Sequence, residues 1–335
     1  MQVTIKDIAT HAGISFQTVS RILNGKGDAH SEETRERVLA AVQQLGYRKH
    51  SSAKAMRHGR FDSVALLLSE ISYLSLLSLR LRDGIMDELA AQEKNLILAR
   101  LPDVSLTSEA KVPRILRELT ADGLLINYND AIPDKMIELI TTHRMPAIWI
   151  NSLHDADCVF PDDREAARIA TRHLLANGHR HIGYLHWSAS HYSNTHRQQG
   201  YSEVMEQAGF EPRPILTFDF HKNLALHAPS MTWLVGQERC TAFVCYSPEV
   251  ATQLFYLSAL VGLRVPNDLS LVTFADTLYD FLGIAADTVV LPYHEMGQEA
   301  VRLLMHKIDH PAVCLPPRIL LPTLQTGDTV RTPSQ

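Results

Sequence analysis

The sequence predicts a small all-α head joined to a larger α/β body with parallel sheets. Three observations carry this. The first 46 residues place apolar side chains three and four apart between helix-capping residues. From Val64 onward, short apolar runs alternate with amphipathic stretches. The charge is also divided. Residues 1–60 hold ten Lys/Arg against five Asp/Glu, and the rest holds 22 against 32, so a head of net +5 precedes a body of net −10. A cationic head on an anionic body suits a module for a phosphate backbone joined to one with other work.

In the head, Thr4 can cap a helix, with Asp7 reaching back as in a capping box. Ile5, Ile8, Ala9 and Ala12 then share one face, and Gly13 ends the helix. Ser15 caps a second helix in which Val19, Ile22 and Leu23 point inward. Phe16, Gln17, Thr18, Ser20 and Arg21 are left facing out. A third helix starts at Ser31, is expected to bury Val38, Leu39, Val42 and Leu45, and ends at Gly46. Such a unit fits a helix-turn-helix whose second helix enters a DNA major groove. Gln17 can then pair with adenine and Arg21 with guanine, while Ser15, Thr18 and Ser20 bond phosphates. Periodicity alone allows equally a three-helix bundle with a merely solvated face.

In the body, the apolar runs are 64–68, 96–101, 123–127, 147–151, 182–185, 241–245 and 269–274. Helix-like stretches cover 79–92, 112–120, 164–177, 200–208 and 249–260. This alternation predicts parallel strands covered on both faces, with ligands at their carboxyl ends. No apolar run reaches the roughly 18 residues of a membrane helix, and no hydrophobic signal segment opens the chain. Cys158, Cys240, Cys245 and Cys314 follow no CxxC spacing, as expected of reduced core thiols in a cytoplasmic protein. No Walker loop, dinucleotide fingerprint or nucleophile elbow occurs, so no cofactor and no enzymatic activity are expected. His179, His181, His186, His191 and His196 include no HExxH pair, and no metal site is expected. His186, His191 and His196 are expected on loops.

The run Thr4-Ile5-Lys6-Asp7-Ile8-Ala9, with Ala12-Gly13-Ile14-Ser15, Thr18-Val19-Ser20-Arg21 and Leu23-Asn24, resembles the signature of LacI/GalR-type transcription regulators. Ser31-Glu32-Glu33-Thr34-Arg35-Glu36-Arg37-Val38 and Leu45-Gly46-Tyr47 extend the match. In the body, Asp162-Asp163-Arg164-Glu165-Ala166-Ala167-Arg168, Gly178-His179-Arg180-His181-Ile182, Arg197…Gly200-Tyr201 and Gly262-Leu263-Arg264-Val265-Pro266-Asn267-Asp268 resemble that family's effector domain. The resemblance covers nearly the whole chain and decides between the two readings of the head.

The resemblance implies a helix-turn-helix head over 1–47, a hinge helix and linker over 48–61, and a two-lobed, periplasmic-binding-protein-like (type I) body over 62–335. One lobe would comprise about 62–160 and 293–320, the other about 161–292 and 321–330, with crossings near 160–162, 291–293 and 320–323. Phe16 and Gln17 hold the positions that choose the operator. Thr4, Asn24 and Tyr47 join Ser15, Thr18, Ser20 and Arg21 as DNA contacts. In the hinge, Arg48, Lys49, Lys54, Arg57 and Arg60 surround Ala53 and Met56, and Met56 stands where the family places a leucine wedge. His50 replaces the usual asparagine. A short basic stretch is also compatible with a flexible linker, since so short a helix is marginal alone.

The same resemblance places a small-molecule effector, most simply a sugar or sugar derivative, among Tyr73, Asn127, Asn151, Asp162, Arg197, Ser247 and Asp276. Arg197 matches the family's effector-contacting arginine. Asp162 is equally able to order the crossing, and Ser247 to cap the helix opened by Pro248. Thr273-Phe274-Ala275-Asp276 departs from the family pattern, with alanine where an aspartate commonly accepts hydrogen bonds. The expected partners are a near-palindromic operator, a second copy of the chain and the effector, with no membrane. The body alone would also suit a sugar-binding receptor or transport protein; the head argues for a repressor.

Overall fold

The computed structural model describes residues 3–48, 59–70, 75, 77–101, 114–118, 120–128, 132–187, 191–213, 215–218, 227–281 and 283–333. The chain divides into two compact units, Met1–Phe61 and Asp62–Gln335. His50, Ala53 and Met56 of the expected hinge, and Tyr73 of the expected pocket, lie outside the described residues.

The head holds three helices, α1 (Ile5–Ala12), α2 (Phe16–Leu23) and α3 (Glu32–Leu45), each started by a hydroxyl cap. Thr4 and Asp7 form the reciprocal box. The Thr4 amide donates to Asp7 Oδ2 at 2.8 Å, and the Asp7 amide donates to Thr4 Oγ1 at 3.4 Å. Gly13 (φ 62°) makes the left-handed turn between α1 and α2. Arg37 on α3 donates to the Ala12 carbonyl at 2.6 Å, tying α3 to the end of α1. Ile8, Ala12, Val19, Val38 and Ala41 form the head's core. Leu39 departs from expectation, being 56% exposed while Ala41 is buried. The inward stripe of α3 runs 38, 41, 42, 45, and Leu39 lies about 100° around the helix from Val38.

The body is built on two six-stranded sheets. The first contains β1 (Ser63–Ser69), β2 (Asn95–Leu101), β3 (Gly123–Asn127), β4 (Ala147–Ile150), β5 (Cys158–Pro161) and β11 (Arg318–Leu320), in the order β11-β5-β4-β3-β1-β2. The second contains β6 (Ile182–Trp187), β7 (Ile215–Phe218), β8 (Ala242–Cys245), β9 (Ser270–Ala275), β10 (Asp287–Val290) and β12 (Thr323–Gln325), in the order β12-β10-β9-β8-β6-β7. All pairs are parallel except β10 with β12. The chain therefore writes the same 2-1-3-4-5 order twice, then returns one short strand to each sheet.

Helices cover both faces of each sheet. They are α4 (Leu79–Ala91), α5 (Arg114–Arg117), α6 (Asp134–Thr142), α7 (Asp163–Ala176), α8 (Tyr192–Gln207), α9 (Ala228–Gly236), α10 (Pro248–Leu260) and α11 (Tyr293–Asp309). β1 shows how an apolar run serves two cores at once. Val64, Leu66 and Leu68 pack under α4 and α11, and Ala65 and Leu67 pack on the opposite side near Leu116 of α5 and Met136 of α6. Small residues bring α4 and α11 close. A Cβ at Gly84 would come within 2.0 Å of the His294 carbonyl oxygen. The second sheet is sandwiched likewise, with α7 and α8 on one face and α9 and α10 on the other.

Some elements differ from the sequence reading. α8 begins at Tyr192 rather than near residue 200, because the His191 ring accepts from the Ser193 amide and starts the helix earlier. His186 lies on β6, His191 caps α8 and His196 lies within it, so none is a simple loop residue. α6, α9 and α11 and the short strands β5, β7, β10, β11 and β12 add elements that the sequence reading left unassigned. Of the four thiols Cys314 is exposed, not core.

Candidate DNA-reading face and effector cleft

Helix α2 is anchored by Val19, which is fully buried, and by the partly buried Ile22 and Leu23. One turn of the opposite face is thereby forced outward. Phe16 is 47% exposed, and Gln17 and Arg21 are exposed beside it. Ser15 caps α2 by accepting from the Thr18 amide at 3.2 Å, with its hydroxyl 2.9 Å from that of Thr18. Ser15 and Thr18 thus hold the helix N-terminus and keep spare oxygens there. Asn24 ends α2, its side-chain amide donating to the Ser20 carbonyl at 2.7 Å and lying 3.4 Å from the Ser20 hydroxyl. Thr4 is engaged in the capping box, its hydroxyl donating to Asp7 Oδ2 at 2.7 Å. Tyr47 packs against the head core, and burial pushes its hydroxyl pKa up.

In the body, polar groups gather where strands of both sheets end. Asn127 closes β3, and Asn151 follows β4 in a left-handed conformation (φ 54°) that asparagine tolerates. Ser75 ties two strand ends together, accepting from the Ser69 amide at 2.7 Å and donating to the Asn127 carbonyl at 2.5 Å. From the second sheet, α8 reaches across. His191 Nε2 lies 3.3 Å from the Asn151 carbonyl oxygen, the Tyr192 hydroxyl donates to Asn151 Oδ1 at 3.3 Å, and Tyr192 meets Phe160 edge-on.

Close to Tyr192 lies a buried ion pair. Arg197 on α8 is buried, with Nε 2.8 Å and Nη2 2.6 Å from Oδ1 of Asp163, and Nη1 donating to the Tyr246 carbonyl at 2.6 Å. Its guanidinium lies between the rings of Tyr246 and Phe274, 4.7 and 4.5 Å from their centroids. Burial opposes the charge of Arg197, but the Asp163 carboxylate outweighs it and holds the pKa above the ordinary arginine value. Tyr184, Tyr192, Tyr246 and Tyr293 surround the pair, each with its hydroxyl pKa raised by burial, so all four are neutral at physiological pH. Asp276 follows β9, near enough for its charge to act on Tyr293.

Two of the expected pocket residues have other employment. Asp162 caps α7, its Oδ1 accepting from the Glu165 amide at 2.8 Å, and Ser247 caps α10. Asp163, the next residue along, is the aspartate that pairs with Arg197. Asn127, Asn151, Arg197 and Asp276 all stand at strand ends or on α8. Asp163, Tyr192 and Tyr246 were missed. Their only signal is the tandem Asp162-Asp163, in which either residue can cap the helix and free the other. Among the described residues, no cluster of His, Cys, Asp or Glu is arranged to hold a metal ion.

Burial lowers the pKa of His154, His179 and His186 below the ordinary value of 6.5. A group depressed on folding adds stability above its unfolded pKa, and that stability is lost as pH falls through the folded value. The thermal midpoint is therefore expected to drop from about pH 7 to about pH 5. His179→Gln should flatten that fall when melting is followed by circular dichroism; an unchanged slope would remove His179 from the account.

Residues 4–50 match the family described as bacterial regulatory proteins, lacI family, and residues 171–330 match the periplasmic binding protein-like domain. The chain is 28% identical to the HTH-type transcriptional regulator GalR of Escherichia coli (strain K12), over 99% of this chain and 96% of that relative. The head therefore carries a lacI-family DNA-binding segment and the body a periplasmic binding protein-like domain, in the arrangement of a LacI-type transcriptional regulator. Its fold matches that of the lac repressor dimer bound to operator and an anti-inducer, with TM-score 0.81 and 22% identity over 99% of this chain and 100% of that one. A transcriptional regulator CelR–cellobiose complex is similar too, with TM-score 0.66 and 24% identity over 98% and 100% of the two chains. The chain is accordingly a DNA-binding transcriptional regulator with a periplasmic-binding-protein-like body. No helix among the described residues is long and apolar enough to cross a membrane.

Proposed function

We propose that this regulator is a cytoplasmic, homodimeric repressor of a near-palindromic operator, and that a sugar-like small molecule held in the body sets its operator affinity. The observation that carries the DNA half is the outward face of α2. Phe16, Gln17 and Arg21 stand exposed on a helix whose other face is locked into a core. Gln17 reads adenine and Arg21 reads guanine, while Ser15, Thr18 and Ser20 fix the register on phosphates. Thr4, Asn24 and Tyr47 support the frame, and the hinge contacts fall to His50, Ala53 and Met56. The head takes residues 1–47, the hinge 48–61, and the body the remainder in two lobes.

The cleft supports the effector half. His191 and Tyr192 reach over to Asn151, and Arg197 binds Asp163 and the Tyr246 carbonyl; in this reading Asn127 and Asp276, at the ends of β3 and β9, complete the set. A ligand that displaces or reinforces those cross-cleft bonds changes how the two halves of the body meet, and the coupling to DNA is reciprocal. A second copy has apolar surface to dock on. Leu98 of the edge strand β2, Tyr256 and Leu260 of α10, and Leu278 are all exposed. The body performs no chemistry of its own in this reading, and turnover of a bound compound would overturn that.

Selection of bound DNA from a random pool, repeated with a panel of sugars, tests the whole reading. A two-fold-related site should emerge, and one sugar should change its retention. Arg21→Ala should weaken operator binding by about 1–3 kcal/mol and relax preference at one base position in each half-site. Unchanged base preference would show that Arg21 contacts only phosphate.

A further inference from the structure

The pairing of Asp163 with Arg197 leaves one buried oxygen over. Asp163 is 1% exposed. Its Oδ1 receives two of the three guanidinium nitrogens, Nε and Nη2, while Oδ2 is buried with no hydrogen-bond partner among the described residues. A shielded carboxylate oxygen without a donor is unfavourable, and native proteins seldom keep one unless something else supplies the proton.

We propose that Asp163 Oδ2 accepts a hydroxyl of the bound effector, and that the Asp163–Arg197 pair selects an uncharged polyhydroxy compound over its phosphorylated or carboxylated counterpart. This rests on the cleft reading above and narrows its ligand class. The charge of Arg197 is already matched, so an entering anion gains no free cation and meets the Asp163 carboxylate at close range. An entering ammonium group meets the guanidinium instead. In so shielded a place these penalties are large compared with those at a surface. Among the described residues whose charges act on the pair and its four tyrosines, Arg197 itself is the one cation. Tyr184, Tyr192, Tyr246 and Tyr293 are held neutral by burial, the pKa of His186 is lowered by burial, and Asp276 and Glu249 contribute further negative charge. His191 is engaged with Ser193 and the Asn151 carbonyl. Aromatic faces beside a single strong acceptor suit the C–H faces and hydroxyls of a sugar ring.

The test uses inorganic phosphate as the anion probe, titrated calorimetrically into the full chain. Asp163→Asn keeps the shape and frees Arg197. It is expected to bind phosphate at least about tenfold more tightly than the unsubstituted chain, and adding Arg197→Ala should abolish the gain. Asp163→Ser is the second charge-removing variant should the first not fold. In parallel, glucose, galactose and cellobiose are each compared with a phosphorylated and a carboxylated derivative. Every neutral parent that binds should bind at least about tenfold more tightly than its charged derivatives. Phosphate binding through Arg197 that is equal with and without the Asp163 charge overturns the proposal, as does preference for a charged derivative. Binding of none of the sugars would instead overturn the sugar reading, while the phosphate arm still decides the role of Asp163.

Discussion

Replacing Arg197 with alanine is expected to lower the unfolding free energy of the body by about 3–5 kcal/mol, because it strands a buried carboxylate. Asp163 would keep the Oδ2 that already lacks a donor and would lose the two nitrogens on Oδ1. The Tyr246 carbonyl would lose its donor as well, and Tyr246 and Phe274 would lose the guanidinium packed between their rings. Urea unfolding followed by near-ultraviolet circular dichroism measures the loss. Removing Asp163 as well should recover much of it, since an uncompensated buried charge costs more than an absent pair. A loss below about 1 kcal/mol would show the pair to be solvated as a surface ion pair is. Loss of effector response in this variant therefore has two sources, a missing contact and a loosened cleft, and Arg197→Lys helps separate them by keeping charge without the planar fork.

Ile8→Ala is expected to abolish operator binding without removing any DNA contact. Ile8 is fully buried at the centre of the head's core, against Ala12, Val19, Val38 and Ala41. Truncating a buried isoleucine costs about 2–5 kcal/mol. A three-helix unit of this size has a total stability of only about 3–5 kcal/mol, so the loss consumes most of it. The α2 face would then no longer be held in register. Loss of helical signal from the head should accompany loss of binding, whereas Arg21→Ala should lose affinity with the helices intact. Operator binding that survived in Ile8→Ala would mean that DNA itself folds the head.

How far the sequence could be read depended on how local each interaction is. The head was legible to within a residue at its helix starts and ends. Thr4 with Asp7, Ser15 with Thr18, and Ser31 with Thr34 are contacts made three residues apart. Leu39 was misplaced because a leucine beside a buried valine resembles core until the stripe through Ala41 is resolved. In the body, the central strands β1, β3, β8 and β9 stood out as apolar runs because parallel strands are buried on both faces. The strands β11 and β12 are three residues long and largely exposed, and they join β5 and β10 as partners from distant parts of the chain.

Residue order alone thus determined the head, its outward-facing Phe16, Gln17 and Arg21, the charge split and the alternating body. Tertiary structure decided which of two adjacent aspartates meets Arg197. Successive residues at a helix start point about 100° apart. Where β5 ends sets which one caps α7 and which turns inward. That choice depends on pairing between β5 and β4, and between β5 and a strand more than 150 residues later, and no local pattern encodes it.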